Sequence, residues 1–254
     1  MEMILPQSDM QLPGIAALAT TRAGGSSPAP YDDGRGGGGL NLGVHVGDAL
    51  DNVQRNRAQL RLHLPAEPAW LTQVHGTTVL DAAQVHDAPV ADASFTTQRG
   101  VVCAIMTADC LPVLFADAAG RVVGAAHAGW RGLAGGILEN TVAAMRAAGA
   151  ENLHAWLGPA IGSAQFEVGD DVLQAFAAKD AAKNAGMSTA FKPIAGRPGK
   201  YLADIYQLAR QTLGNAGVVA VTGGDFCTVG EPQRFYSYRR DGVTGRMATL
   251  IWLK

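Results

Sequence analysis

Three apolar runs, at residues 101–106, 111–116 and 122–126, follow one another across connections too short to hold a crossover helix. Strands linked so closely are expected to pair antiparallel, and the middle of the chain reads as a meander. Further strands are expected at 16–21, 70–74, 78–81, 153–157, 218–222 and 249–253. Most are unbroken apolar runs, which points to layers covered on both faces. Helical patterns are fewer. They fall at 51–63, where Asp48 or Asp51 is placed to cap the start, and at 133–148, 170–183 and 205–216. The expected fold class is therefore α+β, a single domain over residues 1–254 with mixed, sandwich-like β-sheets flanked by helices. One segment stands apart. Residues 24–39 carry Pro28, Pro30 and consecutive glycines from Gly36 to Gly39, a composition that predicts a flexible loop.

Charge and cysteine usage narrow the function classes. The chain carries 20 Lys and Arg against 22 Asp and Glu, which gives no bulk electrostatic reason to bind nucleic acid or an anionic membrane. Any anion site must be local. No apolar run approaches the length of a membrane span, and 3 irregularly spaced cysteines do not make a disulfide framework. A reducing cytoplasm is the expected setting.

The candidate chemistry starts with His75, Cys110 and His127, each at or beside the end of an apolar run and each followed closely by Gly or Pro. Two imidazoles and a thiolate supply three ligands to a tetrahedral zinc and leave one position open for water or substrate. The spacing also fits a buried Cys with two hydrogen-bonded histidines, or a thiol nucleophile with a histidine base. Asp92, Asp109, Glu167 and Asp170 are the carboxylates considered for proton transfer. Asp109, next to Cys110, is placed to orient a ligand imidazole, whereas Asp170 reads as a helix cap. His45 is a candidate to line the site. Arg22, Arg131, Arg239 and Arg240 occupy turns on a chain with few charges, and together they suggest a phosphate or carboxylate pocket. Phe166, Tyr236 and Tyr238 are candidates to hold a purine or phenol ring.

Seven segments occur in an order that closely resembles the YfiH-type family: Thr20-Thr21-Arg22, Leu40-Asn41-Leu42-Gly43, Gln73-Val74-His75-Gly76, Ala108-Asp109-Cys110-Leu111-Pro112, Ala126-His127-Ala128-Gly129-Trp130-Arg131-Gly132, Leu157-Gly158-Pro159-Ala160-Ile161-Gly162 and Tyr236-Ser237-Tyr238-Arg239-Arg240-Asp241. The resemblance spans nearly the whole chain. Members of that family have been described as multicopper polyphenol oxidases, purine nucleoside phosphorylases and peptidoglycan editing factors.

The resemblance implies a single zinc on His75, Cys110 and His127; beside it, the reading of the residues expects substrate or phosphate contacts from Arg22, Asn41, His45, Arg131, Arg239 and Arg240. Asp109 or Glu167 would carry the proton. The resemblance implies phosphorolysis of adenosine, inosine or methylthioadenosine and deamination of adenosine. The alternatives are release of L-serine from a UDP-muramoyl-serine precursor and phenol oxidation with copper in place of zinc. The last would need more histidines than the 6 present. The expected partners are these small molecules, with no nucleic acid and no membrane. The chain departs from the family pattern at Gly34 to Gly39, which is unusually glycine-rich, and at Ser163-Ala164-Gln165, where many relatives include a Cys.

Overall fold

Leu114 and Phe115 are neighbours on one strand and both are fully buried, Leu114 in one core cluster and Phe115 in another. A strand can do this only if apolar layers cover both faces of its sheet. The computed structural model, which describes residues 2–6, 12–183 and 187–254, shows how.

Two sheets stack face to face. The first has the order β1 (Met3–Ile4), β2 (Ile15–Thr20), β15 (Met247–Leu253), β7 (Val102–Thr107) and β4 (Pro68–Ala69). The second has the order β14 (Ala220–Gly223), β10 (Leu153–Leu157), β8 (Leu111–Asp117), β9 (Val123–Ala128), β6 (Ala93–Thr96) and β5 (Val79–Asp81). Cys103, Ile105 and Ile251 of the first sheet meet Leu114, Ala125 and Trp156 of the second in the core between them. Alternate residues of the same strands face outward. Val102, Ala104 and Met106 pack with Leu60 of α1 (Leu50–Arg61), and with Leu40, Leu42 and Trp70. Val113 and Phe115 pack beneath α3 (Ile137–Ala147), α4 (Asp170–Lys183) and α5 (Ile205–Asn215) through Val142, Phe176 and Leu208. A small antiparallel sheet of β11 (Glu167–Gly169), β13 (Lys200–Ala203) and β12 (Phe191–Pro193) completes the helical side. No helix among the described residues is long and apolar enough to cross a membrane.

The mixed sheets flanked by helices are as expected, but the meander is not. β8 and β9 pair as a hairpin, whereas β7 belongs to the other sheet, between β15 and β4. The short link after Thr107 therefore carries the chain from one sheet to the other. Trp70 to Val74 is not a continuous strand. The Gln73 side chain takes the place of a strand neighbour, donating from Nε2 to the Met106 carbonyl and accepting the Met106 N–H at Oε1, each at 2.8 Å. The expected helix at 133–148 is two helices, α2 (Trp130–Gly135) and α3, broken at Gly136 with φ 104°. Neither Asp48 nor Asp51 caps α1; its N-cap is Ala49, and Asp48 instead accepts from Ser27 Oγ, Asn41 Nδ2 and Asn52 Nδ2.

The glycine-rich segment is tied down. β3 (Ala23–Ser27) bridges Gly39 at both of its ends. The Asn56 amide, buried on α1, donates to Ser27 Oγ, Gly39 O and Asn41 O and accepts the Ser26 N–H. One side chain from a regular helix thus satisfies the backbone that glycine and proline leave without a ladder.

Candidate metal centre and its cavity

Cys110 lies in the crossing between the sheets, one residue before β8. β9 runs beside β8 with His127 opposite Pro112, which brings the His127 ring to the same edge. His75 comes from the loop after β4, where it takes φ 62°, and Asp109 beside Cys110 takes φ 99°. Non-glycine residues held in this region are strained and persist only where surrounding contacts fix them. Here the contacts are explicit.

Asp92, fully buried just before β6, grips both histidines. Its carboxylate accepts the N–H of Val74 at 3.2 Å, of His75 at 2.8 Å and of Gly76 at 2.7 Å. The same carboxylate takes His127 Nδ1 at 2.8 Å, and its backbone carbonyl takes the His127 N–H at 2.7 Å. Burial works against ionising Asp92, but the His127 and backbone donors prevail and hold the carboxyl below the usual range. With Nδ1 engaged, His127 presents Nε2 towards Cys110 and His75. Asp109, the carboxylate expected to orient a ligand imidazole, does other work. It accepts Thr228 Oγ1 and the Arg239 N–H, both at 2.6 Å, and so braces the crossing.

The three donors converge. Cys110 Sγ is 3.6 Å from His75 Nε2, the two rings meet edge to face at 4.7 Å, and one donor atom from each residue lies within 4.8 Å of the others. Tetrahedral zinc with Zn–S of about 2.3 Å and Zn–N of about 2.0 Å separates sulfur from nitrogen by roughly 3.5 Å. Such a set can hold a metal ion. Without one, burial pushes the Cys110 thiol up, but hydrogen bonds and charge from His127 and His75 bring it down to about 6. Burial in turn opposes charge on His127, and Asp92 and Cys110 raise it to about 9. In the metal-free protein these opposite shifts favour a thiolate on Cys110 beside an imidazolium on His127.

These donors line a cavity of about 590 Å³ whose other walls include Trp70, Met106, Ala108, Gln73 and, near the mouth, Val44, His45 and Tyr238. His45 lines the cavity. Burial and then the charges of Arg246 and Arg57 lower its pKa, and both arginines also line the cavity. Neither was singled out from the sequence: Arg57 lies within a helical pattern, and Arg246, although it follows Gly245, stands beyond the Tyr236–Asp241 segment.

The arginines that the sequence did single out lie elsewhere. Arg22 is buried, donates to the carbonyls of Asp32 and Pro232, pairs with Asp32 at 3.2 Å and stacks on Tyr236. Arg131 is exposed against Trp130. Arg239 reaches the carbonyls of Gln165 and Glu167 near Phe166. Arg240 pairs with Asp241 and clasps three carbonyls. None lines the cavity. Asn41 is buried, and its amide organises the turn through Gly43, Asp48 and the Arg246 N–H. Glu167 sits on β11 paired with Arg197, and Asp170 accepts from Tyr201. Tyr236 is buried, whereas Tyr238 is exposed and faces the cavity. The stretch 163–165 lacks its own thiol, but Cys227 lies beside it, taking the N–H of Gly162, outside the cavity.

Residues 16–254 match a family model described as multi-copper polyphenol oxidoreductase laccase. The chain is 51% identical to purine nucleoside phosphorylase YfiH of Escherichia coli over 99% of both chains. It is 52% identical to purine nucleoside phosphorylase PA4543 of Pseudomonas aeruginosa over 94% of both. Among solved structures it resembles Neisseria meningitidis protein NMB0706, at 48% identity and TM-score 0.89 over the full length of both chains. It also resembles Bacillus licheniformis YfiH, at 30% identity and TM-score 0.85, covering 99% of this chain and 96% of that one. Motif order, sheet topology and sequence identity together make this chain a member of the YfiH-type family.

Proposed function

We propose that this protein is a zinc-dependent purine nucleoside phosphorylase, acting on adenosine, inosine or methylthioadenosine, with adenosine deamination at the same centre. The observation that carries the reading is the convergence of His75, Cys110 and His127 on one point of a cavity large enough for a nucleoside. The names of the most similar relatives support the substrate class.

In phosphorolysis an oxygen of orthophosphate bonds to C1′ of the ribose as the C1′–N9 bond breaks. The bonding pair leaves on the purine, which then takes a proton. Zinc bound by His75, Cys110 and His127 would supply Lewis acidity next to the substrate. Asp92 keeps His127 in the tautomer that offers Nε2 and keeps the His75 backbone in its strained turn. Tyr238 and Val44, 63% and 51% exposed, offer apolar surface at the mouth for a heterocycle. His45 is the cavity imidazole outside the donor trio; with its pKa held below the ordinary value by burial and by Arg246 and Arg57, it would pass the proton that dihydrogen phosphate gives up on to the departing purine. Asp109 and Glu167, engaged elsewhere, give way to it as the proton carrier in this reading.

A second reading has one specific observation behind it. Cys110 Sγ stands 3.6 Å from His75 Nε2, and hydrogen bonds and charge from His127 and His75 lower its pKa, the setting of the nucleophile in a thiol hydrolase, the class that would release serine from a muramoyl precursor. For copper chemistry, one cluster of three such donors occurs among the described residues, which is sparse for a multicopper centre.

Purified protein is expected to carry one zinc per chain by elemental analysis and to convert adenosine plus phosphate to adenine and ribose 1-phosphate. His75→Ala and His127→Ala should abolish both. Serine release from UDP-muramoyl-serine with adenosine untouched would reverse the order of the two readings.

A further inference from the structure

Several buried or half-buried arginines of this fold pair with a carboxylate. Arg22 has Asp32, Arg234 has Glu231 and Arg240 has Asp241, each within 4.0 Å. The two in the cavity wall, like Arg61 outside it, have no such ion pair. Arg57, on α1, donates from Nε to the Leu42 carbonyl at 3.0 Å, approaches Met106 Sδ at 3.9 Å and lies 4.2 Å over Trp70. Arg246, just before β15, donates from Nη1 to the carbonyls of Thr244 and Gly245, both at 3.0 Å. Among the described residues neither guanidinium has a carboxylate within 4.0 Å; Glu67 reaches Arg57, and Cys110 and Asp109 reach Arg246, only through longer-range charge, and Arg57 Nη1 together with Arg246 Nε and Nη2 has no hydrogen-bond acceptor.

Both side chains are half-buried and line the same cavity as His75, Cys110 and His127. Their stems are fixed. Trp70 supports the Arg57 guanidinium, and its own Nε1 is anchored on Glu67 at 2.7 Å. The Arg246 backbone is held by Asn41 Oδ1 at 2.9 Å. Its stem packs so closely on Gly43 that a Cβ there would stand 2.8 Å from Arg246 Cγ. Leu42 joins the two, its carbonyl taking Arg57 Nε at 3.0 Å and its N–H going to the Arg246 carbonyl at 3.1 Å, and the charge of both reaches His45. Two positive groups held half-desolvated with free N–H donors carry a cost that a matching anion removes. Guanidinium forks match the oxygens of phosphate better than any other side chain.

We propose that Arg57 and Arg246 form the oxyanion site of this protein, taking a phosphate group either as free orthophosphate or as the phosphate of a nucleotide ester. The proposal rests on the reading of the cavity as a nucleoside site and names where its anionic co-substrate sits. It also explains why a chain with balanced charge needs no basic surface.

The test is binding without turnover. Calorimetry on zinc-loaded protein would titrate orthophosphate, adenosine 5′-monophosphate and UDP in separate arms, on wild type and on Arg57→Gln, Arg246→Gln and the exposed control Arg131→Gln. At least one phosphate arm should bind to wild type and weaken tenfold or more in both cavity variants but not in Arg131→Gln. Zinc content and adenosine binding should stay unchanged. Arg57→Lys and Arg246→Lys, which keep the charge but lose the fork, should recover part of the affinity and report on folding. Orthophosphate as the ligand identifies the free ion, and a response confined to the nucleotides identifies an ester; both support the site. Unchanged phosphate binding in both cavity variants overturns it, as does an equal loss of zinc and adenosine with phosphate. Phosphate binding by the two arginines with no attack on adenosine would retain the site and sink the phosphorylase reading. Phosphorolysis with an unaltered KM for phosphate in both variants would do the reverse.

Discussion

His127 Nδ1 donates to Asp92 Oδ1 at 2.8 Å, and the same oxygen accepts the His75 N–H at 2.8 Å. One buried carboxylate therefore sets the tautomer of one candidate ligand and the backbone turn of another. The two histidines are far apart in sequence, and Asp92 couples them.

Asp92→Asn should show this coupling. An amide keeps the size of the side chain but puts an NH₂ where one of its donors now points. Metal affinity is expected to fall about 10–100-fold. Asp92→Ala leaves three N–H groups and His127 without their acceptor and should cost about 3 kcal/mol or more of stability. Zinc titration against a chromophoric chelator and urea melts separate the two effects. Wild-type zinc affinity in Asp92→Asn would show that the contact is incidental.

Gly129 is the second pressure point on the donor set. A Cβ at this position would stand 2.7 Å from His75 Cδ2 and 3.0 Å from Cys110 Sγ. Gly129→Ala must push two donors apart. It should lower metal occupancy and activity together, while far-UV circular dichroism remains that of wild type.

The thiol has its own signature after chelation. Cys110 is brought down to about 6, whereas burial, which Ser94 only partly offsets, pushes Cys103 up to about 12. In a Cys227→Ser background, iodoacetamide should modify Cys110 with a midpoint near pH 6 and leave Cys103 untouched. A midpoint near the ordinary thiol value of 9.0 would remove the ion pair from the argument.

Stability of the chelated protein carries two opposite trends. Cys110 is depressed, so its contribution is complete above 9.0 and is lost as pH falls through about 6. His127 is raised, so its contribution is complete below 6.5 and is lost as pH rises through about 9. Thermal melts of chelated wild type relative to Cys110→Ala should therefore show the largest difference between about pH 6 and 9. A difference that is flat with pH would contradict the pairing.

Arg22→Ala separates a structural arginine from a substrate contact. Its guanidinium satisfies the carbonyls of Asp32 and Pro232 and pairs with the Asp32 carboxylate. Removal should cost about 2–4 kcal/mol in denaturant melts. The KM of the folded fraction for phosphate should not move.

Much of this molecule is legible in its residues. The runs at 153–157 and 111–116 became strands because residues such as Leu153, Trp156, Leu157, Leu111, Val113, Leu114 and Phe115 need burial on both sides, and a sheet covered on both faces buries them. The donor trio was legible because Cys and His at glycine turns on so few charges stand out. What the sequence could not decide was which side chains meet. That Val102–Thr107 joins one sheet and Leu111–Asp117 the other depends on long-range pairing with β15 and β9, and local pattern carries no information about partner choice. The same pairing chose Asp92 over Asp109 as the partner of His127. It also put Arg57 and Arg246 in the cavity wall and sent Arg22 and Arg240 to hold backbone carbonyls. Residue type sets what chemistry a side chain can do; only the packing of distant segments sets what it faces.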